Sequence, residues 1–203
     1  MDQLKIKRDL DALAGLDPDL RRGLALVRYP APRIRVQGFE TFLSTIVSQQ
    51  MSTEAAAAIM RRVHALLPAM SAQDVRGLPS GALRAAGLSA RKVEYVEGLA
   101  RAIADHRFEI SRLAEMDDQA VVEAITSLKG FGVWSAEIYL MFSLQRSDVF
   151  PAGDLAIRIA LQKLKGMDNK LDEKQAREVV ASWSPYRSAG SLFLWHYYRG
   201  APT

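Results

Sequence analysis

Two glycines separated by one phenylalanine, Gly130-Phe131-Gly132, lie between two stretches of helical periodicity and constrain this chain more than any other feature. Upstream, Val121, Val122, Ile125 and Leu128 recur at helical spacing behind Asp117, a residue type suited to an N-cap. Downstream, Trp134, Ile138 and Met141-Phe142 repeat on one face of a second helix. So short a connection, made of residues that accept positive φ and let another backbone come close, predicts a tight helix-hairpin-helix. The turn runs into a helix start, where unpaired N–H groups and the helix dipole favour an anion. A third element follows: the loop Val149-Phe150-Pro151-Ala152-Gly153-Asp154, then Ile157, Ala160, Leu161 and Leu164 at helical spacing. Asp154 therefore stands at the start of a third helix.

The remaining chain reads as helix after helix, with no convincing alternating run, so the fold class is all-α. Leu4, Leu10, Leu13 and Leu16 give an amphipathic pattern, and Leu20, Leu24 and Val27 a second one behind Pro18, which suits a first helical turn. Tyr29-Pro30-Ala31-Pro32-Arg33 is a breaker-rich connector and the best lobe boundary. A helix with Phe42, Leu43, Ile46 and Val47 on one face is interrupted at Ser48-Gln49-Gln50-Met51-Ser52, where Ser52 can cap a helix reaching Leu67. Ser71, Ser80 and Ser89 are expected to cap three more, the last running to about His106. Leu171-Asp172-Glu173-Lys174 opens another, and Ser184-Pro185-Tyr186-Arg187-Ser188 turns into a final apolar helix.

With 49% hydrophobic residues, 203 residues can bury one core or two packed lobes. A formal charge of +4 is compatible with a polyanionic partner without requiring one. The absence of cysteine excludes disulfides, thiol catalysis and cysteine-ligated zinc or iron–sulfur clusters. His64, His106 and His196 are widely separated and lack metal-ligand spacing, so no metal with side-chain ligands is expected. No signal-like or membrane-length apolar run occurs, and the expectation is a soluble, cytoplasmic, nucleoid-associated monomer with no membrane partner.

Gly-Phe-Gly-Val-Trp-Ser-Ala followed by Phe-Pro-Ala-Gly-Asp-Leu-Ala-Ile-Arg resembles the helix-hairpin-helix, Gly/Pro-rich loop and aspartate motif of the HhH-GPD base-excision DNA glycosylases. Within that superfamily the chain is most similar to the 3-methyladenine DNA glycosylase II branch, from about residue 38 to residue 200. No strand-rich region precedes the connector at Tyr29–Arg33, so larger relatives with an added N-terminal β-domain are not matched there. The resemblance implies two all-α lobes with the active cleft between them. One would comprise residues 1–36 plus 155–203, and the other residues 37–154, with the helix-hairpin-helix at about 117–145. It implies a partner, duplex DNA carrying alkylated bases, and a reaction, hydrolysis of the N-glycosidic bond of alkylated purines of the 3-methyladenine and 7-methylguanine type after base flipping. Glycosylases for deaminated or oxidised bases, a bifunctional lyase and a non-catalytic DNA-binding protein are the alternatives.

The resemblance assigns Asp154 the catalytic carboxylate; the plain structural reading is an N-cap, and the two are compatible. An anion there stabilises oxocarbenium character at the sugar or activates the attacking water. Family members with lyase activity carry a lysine two residues after the second hairpin glycine; here Trp134 holds that place, and Lys129 precedes the glycines. Trp134 is therefore either core or, as in the alkylation-repair branch, an aromatic wall of the base pocket that attracts a cationic alkylated base. Tyr186 matches a second pocket aromatic, and Ile138 stands where the branch has another, a departure that bears on base preference. Gly130, Phe131 and Gly132 would hold DNA phosphate through main-chain N–H groups, or form a purely structural turn. Lys129, Arg158 and Arg187 are nearby charges that either reach phosphate or lie solvated at the surface; Arg158 has an ion pair with Asp154 as a further option. Gln50, with Met51 second, lies where the family carries its intercalating wedge, against an ordinary capping loop. In the family the hairpin carbonyls also bind a monovalent cation, which the resemblance admits here but the spacing does not establish.

Overall fold

Short polar side chains that accept an N–H from the first helical turn set most helix starts in this protein. The structure, a computed structural model, describes residues 1–200, and no strand occurs among them. Asp2 opens α1 (Gln3–Leu16), and Asp17 with Pro18 at the first position opens α2 (Pro18–Val27). α3 (Phe39–Ser48) has no side-chain cap, whereas Ser52 caps α4 (Thr53–Leu66) and Ser71 caps α5 (Ala72–Arg76). α6 (Ala82–Ala85) starts from Gly81 in a left-handed conformation, so Ser80 is not its cap. Ser89 caps α7 (Ala90–Ala104), and Asp117 caps α8 (Asp118–Thr126). α9 (Val133–Phe142), α10 (Leu155–Leu164), α11 (Glu173–Val179) and α12 (Arg187–Gly200) complete the order.

The chain forms two compact units, Met1–Arg35 with the chain from Glu137 onward, and Val36–Ala136. The first border falls at the expected connector. The second falls inside α9 rather than after residue 154, which corrects the expected lobe limits. Its cause is the attachment of residues 142–149 to the terminal helices. The Phe142 carbonyl accepts the Arg35 N–H at 2.8 Å, the Ser147 carbonyl accepts the Ser188 N–H at 2.9 Å, and the Ser188 hydroxyl receives the Val149 N–H at 2.9 Å.

In the unit containing both termini, α10 and α12 pack on each other, and α1, α2 and α12 pack mutually. Ile6, Leu10 and Leu13 point inward from α1, while Leu4 and Leu16 of the expected stripe are exposed. Asp17 is the polar joint of this core. It caps α2 at Leu20 and accepts Lys165 Nζ at 2.6 Å and the Trp183 indole N–H at 2.7 Å. Burial raises its carboxyl, but Lys165, Trp183 and the Leu20 N–H outweigh that and hold it below the usual carboxylate range. α12 crosses Trp183 at Gly190, where a Cβ would come within 2.4 Å of the indole, so the crossing requires glycine. In the other unit, Phe42 of α3 meets the rings of Phe108 and Phe131 edge-on, at 5.3 and 5.5 Å between centroids.

Candidate functional site

The α8–α9 turn begins where α8 ends at Thr126 and Gly130 takes φ 96°. A Cβ at Gly130 would lie 2.4 Å from the Tyr95 ring, so this glycine is demanded both by its φ and by α7 passing over it. Gly132, by contrast, has open space around it. Phe131 points inward to Phe42, and its N–H is taken by the Leu128 carbonyl at 3.1 Å. It therefore plugs the core and has no donor left, which corrects its expected place among the phosphate ligands. The N–H groups of Gly130, Gly132 and Val133 meet no acceptor among the described residues. Val133 and Trp134 at the start of α9 are 50% and 42% exposed, so Trp134 is not part of the core face that Met141 and Phe142 occupy. The Lys129 ammonium is paired with Glu94.

The α3–α4 turn lies beside this one. Gln49 Nε2 donates to the Gly130 carbonyl at 2.8 Å, tying the two turns together. Gln50 follows at φ 54° with its side chain exposed, and Met51 is half-buried. Lys92 of α7 donates to the carbonyls of Val47 and Gln49 at 2.7 and 2.8 Å. Around these groups lies a cavity of about 730 Å³, lined among others by Gln49, Gln50, Arg91, Lys92, Tyr95 and Trp134. It combines two cations, two aromatic rings and amide groups, a donor-rich surface suited to a polyanion bearing flat bases. Neither Lys92 nor Tyr95 stands out in the sequence; each is one polar position on an amphipathic helix.

In the unit of the termini, Asp154 caps α10, its Oδ1 accepting the Ile157 N–H at 3.1 Å. Its loop is closed by hydrogen bonds from the Asp154 N–H to the Pro151 carbonyl and from the Ala152 N–H to the Phe150 carbonyl. Arg177 of α11 braces the same loop, with Nη1 on the Phe150 carbonyl at 2.8 Å and Nη2 on the buried Glu137 carboxylate at 3.0 Å. Arg33, half-buried, lies over the Phe142 ring at 4.4 Å and near Trp195. Burial, then the like charges of Arg35 and Arg199, push its guanidinium below the usual arginine range, and the charge of Asp154 opposes them.

The other expected site residues of this unit have structural engagements. Arg158 directs Nη1 to the Leu171 carbonyl at 3.1 Å rather than pairing with Asp154. Arg187 grips Asp148 with two bonds of 2.7 Å, and Asp148 also accepts the Ser184 hydroxyl at 2.7 Å. That clamp fixes the turn on which the half-buried Tyr186 sits. Ile138 is 3% exposed and contributes to the interior. Lys129, Arg158 and Arg187 thus each have a partner already, something that their positions in the sequence do not reveal. Among the described residues no group of three or more His, Asp or Glu side chains could hold a metal ion. Among the described residues no helix is long and apolar enough to cross a membrane.

Residues 43–185 match the family model of the HhH-GPD superfamily base excision DNA repair proteins. DNA-3-methyladenine glycosylase 1 of Schizosaccharomyces pombe is 31% identical over 195 residues, covering 90% of this chain and 83% of that protein. Among solved structures, the DNA-3-methyladenine glycosidase of Bacillus halodurans superposes with a TM-score of 0.82 at 29% identity, covering 92% of this chain and 87% of that one. The S. pombe 3-methyladenine DNA glycosylase, solved in complex with abasic DNA, gives 0.78 at 28% identity over 93% of this chain and 95% of that one.

Proposed function

Because the chain belongs to the HhH-GPD superfamily of base-excision DNA repair proteins, we propose that it is a monofunctional glycosylase releasing alkylated purines from duplex DNA. The observation that carries the reading is the α8–α9 turn with Trp134 exposed at its exit, followed in sequence by the aspartate-capped start of α10. The names of relatives similar over most of this chain support the alkylated-base substrate.

Each group has a task that follows from its chemistry. The N–H groups of Gly130, Gly132 and Val133 hold backbone phosphate without reading sequence. Gln50, exposed at the tip of its turn, fills the space left when the target base leaves the stack. A purine alkylated on a ring nitrogen is cationic, and the exposed face of Trp134 attracts it by about 1–2 kcal/mol once water is displaced. Loss of the base builds positive charge at the sugar, which the Asp154 carboxylate stabilises while water supplies the new bond to carbon. Since Trp134 replaces the lysine that a Schiff-base mechanism needs, water is the nucleophile and the product is an intact strand with an abasic site.

The test is incubation with methylated duplex DNA, identifying the released bases by chromatography for the wild type and Asp154→Asn. Asparagine caps a helix as well as aspartate does, so this variant removes charge while keeping α10. The expected result is a loss of base release of about 10²–10³-fold with DNA affinity retained. A wild type that releases no methylated purine overturns the substrate, and borohydride trapping of a covalent DNA adduct overturns monofunctional hydrolysis.

A further inference from the structure

Gln50 holds a backbone conformation that non-glycine residues seldom adopt, at φ 54°. Such a conformation persists where its surroundings over-determine it. Here the determinant is visible. The last carbonyls of α3 have no partner within their own helix; Lys92 takes one of them, Val47 at 2.7 Å, and the carbonyl of the capping residue Gln49 at 2.8 Å. Fixing the Gln49 carbonyl fixes the plane of the peptide that leads into Gln50. The Gln49 side chain then donates to the Gly130 carbonyl at 2.8 Å, so the turn bearing Gln50 is set against the turn bearing the open N–H groups.

Lys92 is an unusual choice for a mere helix cap. It is half-buried, and among the described residues no carboxylate pairs with its ammonium. Burial pushes it below the usual lysine range. A neutral side chain or a well-solvated lysine would end a helix with less desolvation, so the burial of this charge points to a demand for rigidity at the tip it holds. The tip also borders the same cavity as Lys92, Tyr95 and Trp134.

We propose that Lys92 is a positioning residue for base flipping: by clamping the Val47 and Gln49 carbonyls it holds Gln50 ready to enter the DNA stack, in register with the phosphate-holding turn. This rests on the glycosylase reading for its purpose, but its physical step is insertion, which can be observed without chemistry. Lys92 acts through Gln50 and touches neither the sugar nor the leaving base.

The probe is a duplex oligonucleotide carrying 2-aminopurine beside a single 7-methylguanine, paired with cytosine in one version and facing an abasic analogue in the other. 2-Aminopurine brightens when its neighbour unstacks. With the paired duplex, Lys92→Met should weaken the unstacking equilibrium by about tenfold or more, because the full stacking and pairing energy must be met. With the gapped duplex, where extrusion is easier, the loss should stay below about threefold. Lys92→Arg, which keeps charge and donors, should recover most of the paired signal. If Lys92→Met does not fold, Lys92→Gln, with one amide donor group, reads the same ratio. Equal losses on both duplexes, no loss on either, or no brightening by the wild type overturns the proposal. Base release is measured in the same samples. A wild type that unstacks the duplex but frees no methylated purine refutes the glycosylase reading and leaves the role of Lys92 standing.

Discussion

The α3–α4 turn tied to the α8–α9 hairpin and the loop leading to Asp154 are both held by long cationic side chains reaching backbone carbonyls, yet the two regions end in opposite states. In the Asp154 loop the backbone is bonded within itself, and Arg177 brings a buried counter-charge, Glu137, to the carbonyl it braces. That loop ends in the Asp154 carboxylate, which caps α10. In the hairpin region Lys92 and Gln49 secure carbonyls, while the N–H groups of Gly130, Gly132 and Val133 meet no acceptor among the described residues. What remains there is a row of donors on an uncharged backbone. One loop ends in a charged side chain, the other in uncharged backbone donors.

The sharpest way to break this contrast is at Gly130. Alanine there meets a positive φ and a ring atom of Tyr95 at 2.4 Å, near the root of the side chain, where a rotamer change is needed to clear it. Adding strain of about 1–3 kcal/mol to overpacking of similar size predicts a loss of about 3–5 kcal/mol, measured by urea unfolding. Tyr95→Ala in the same chain should return only the overpacking part, giving a coupling of about 1–3 kcal/mol in the double-mutant cycle. Gly132→Ala, with nothing near it, should cost less than about 0.5 kcal/mol. A large loss at Gly132 would mean that the turn is tuned for packing rather than left open.

The next effect probes the charged brace. Arg177→Met strips a buried carboxylate of its partner, and because Arg177 is 46% exposed the loss should be about 2–3 kcal/mol, at the low end for such pairs. Adding Glu137→Gln should return part of it. The pH dependence follows with a worked sign. Burial, against the pull of Arg177, raises the Glu137 carboxyl above its ordinary 4.5. The folded state then holds its proton longer, so this group's contribution is full below that value and is lost as pH rises through the folded pKa. Arg187, with the Ser184 hydroxyl, lowers Asp148 below its ordinary 3.8, so its contribution is present above that value and is lost as pH falls through the folded pKa. Urea titrations should therefore show Glu137→Gln gaining on the wild type as pH rises toward 7. The deficit of Asp148→Asn should close in acid.

The parts legible in the sequence were those set by neighbours along the chain. Asp117, Ser52, Ser89 and Asp154 cap the helices their spacing predicts, and Pro18 opens α2, because an N-cap acts on N–H groups two or three residues away. The site itself is set by residues distant in sequence. Gly130 is required by Tyr95, thirty-five positions earlier, and Arg187 is held by Asp148, thirty-nine positions earlier. No local pattern encodes those meetings. For the same reason the second unit border was placed too late: helical periodicity runs through α9 without a break, and only the bonds of residues 142–149 assign them to the terminal helices.

The smallest expected effect tests whether the hairpin's donors work without help from side-chain charge. Lys129 adjoins Gly130, but its ammonium is bound to Glu94 at the surface, and a phosphate would have to displace that carboxylate. If Glu94 keeps it, Lys129→Ala should leave the slope of log affinity against log salt unchanged, since no counterion release is lost with the side chain. If instead Lys129 exchanges partners on binding, the same variant should reduce the slope by about one, the signature of one phosphate contact. Glu94→Gln sharpens the choice. Releasing Lys129 should then steepen the slope and tighten binding at low salt, while excision from saturated complexes stays the same. A slope that falls with Lys129→Ala but does not respond to Glu94→Gln would place a charged ligand for phosphate beside the backbone N–H groups and remove the division of labour between the two loops.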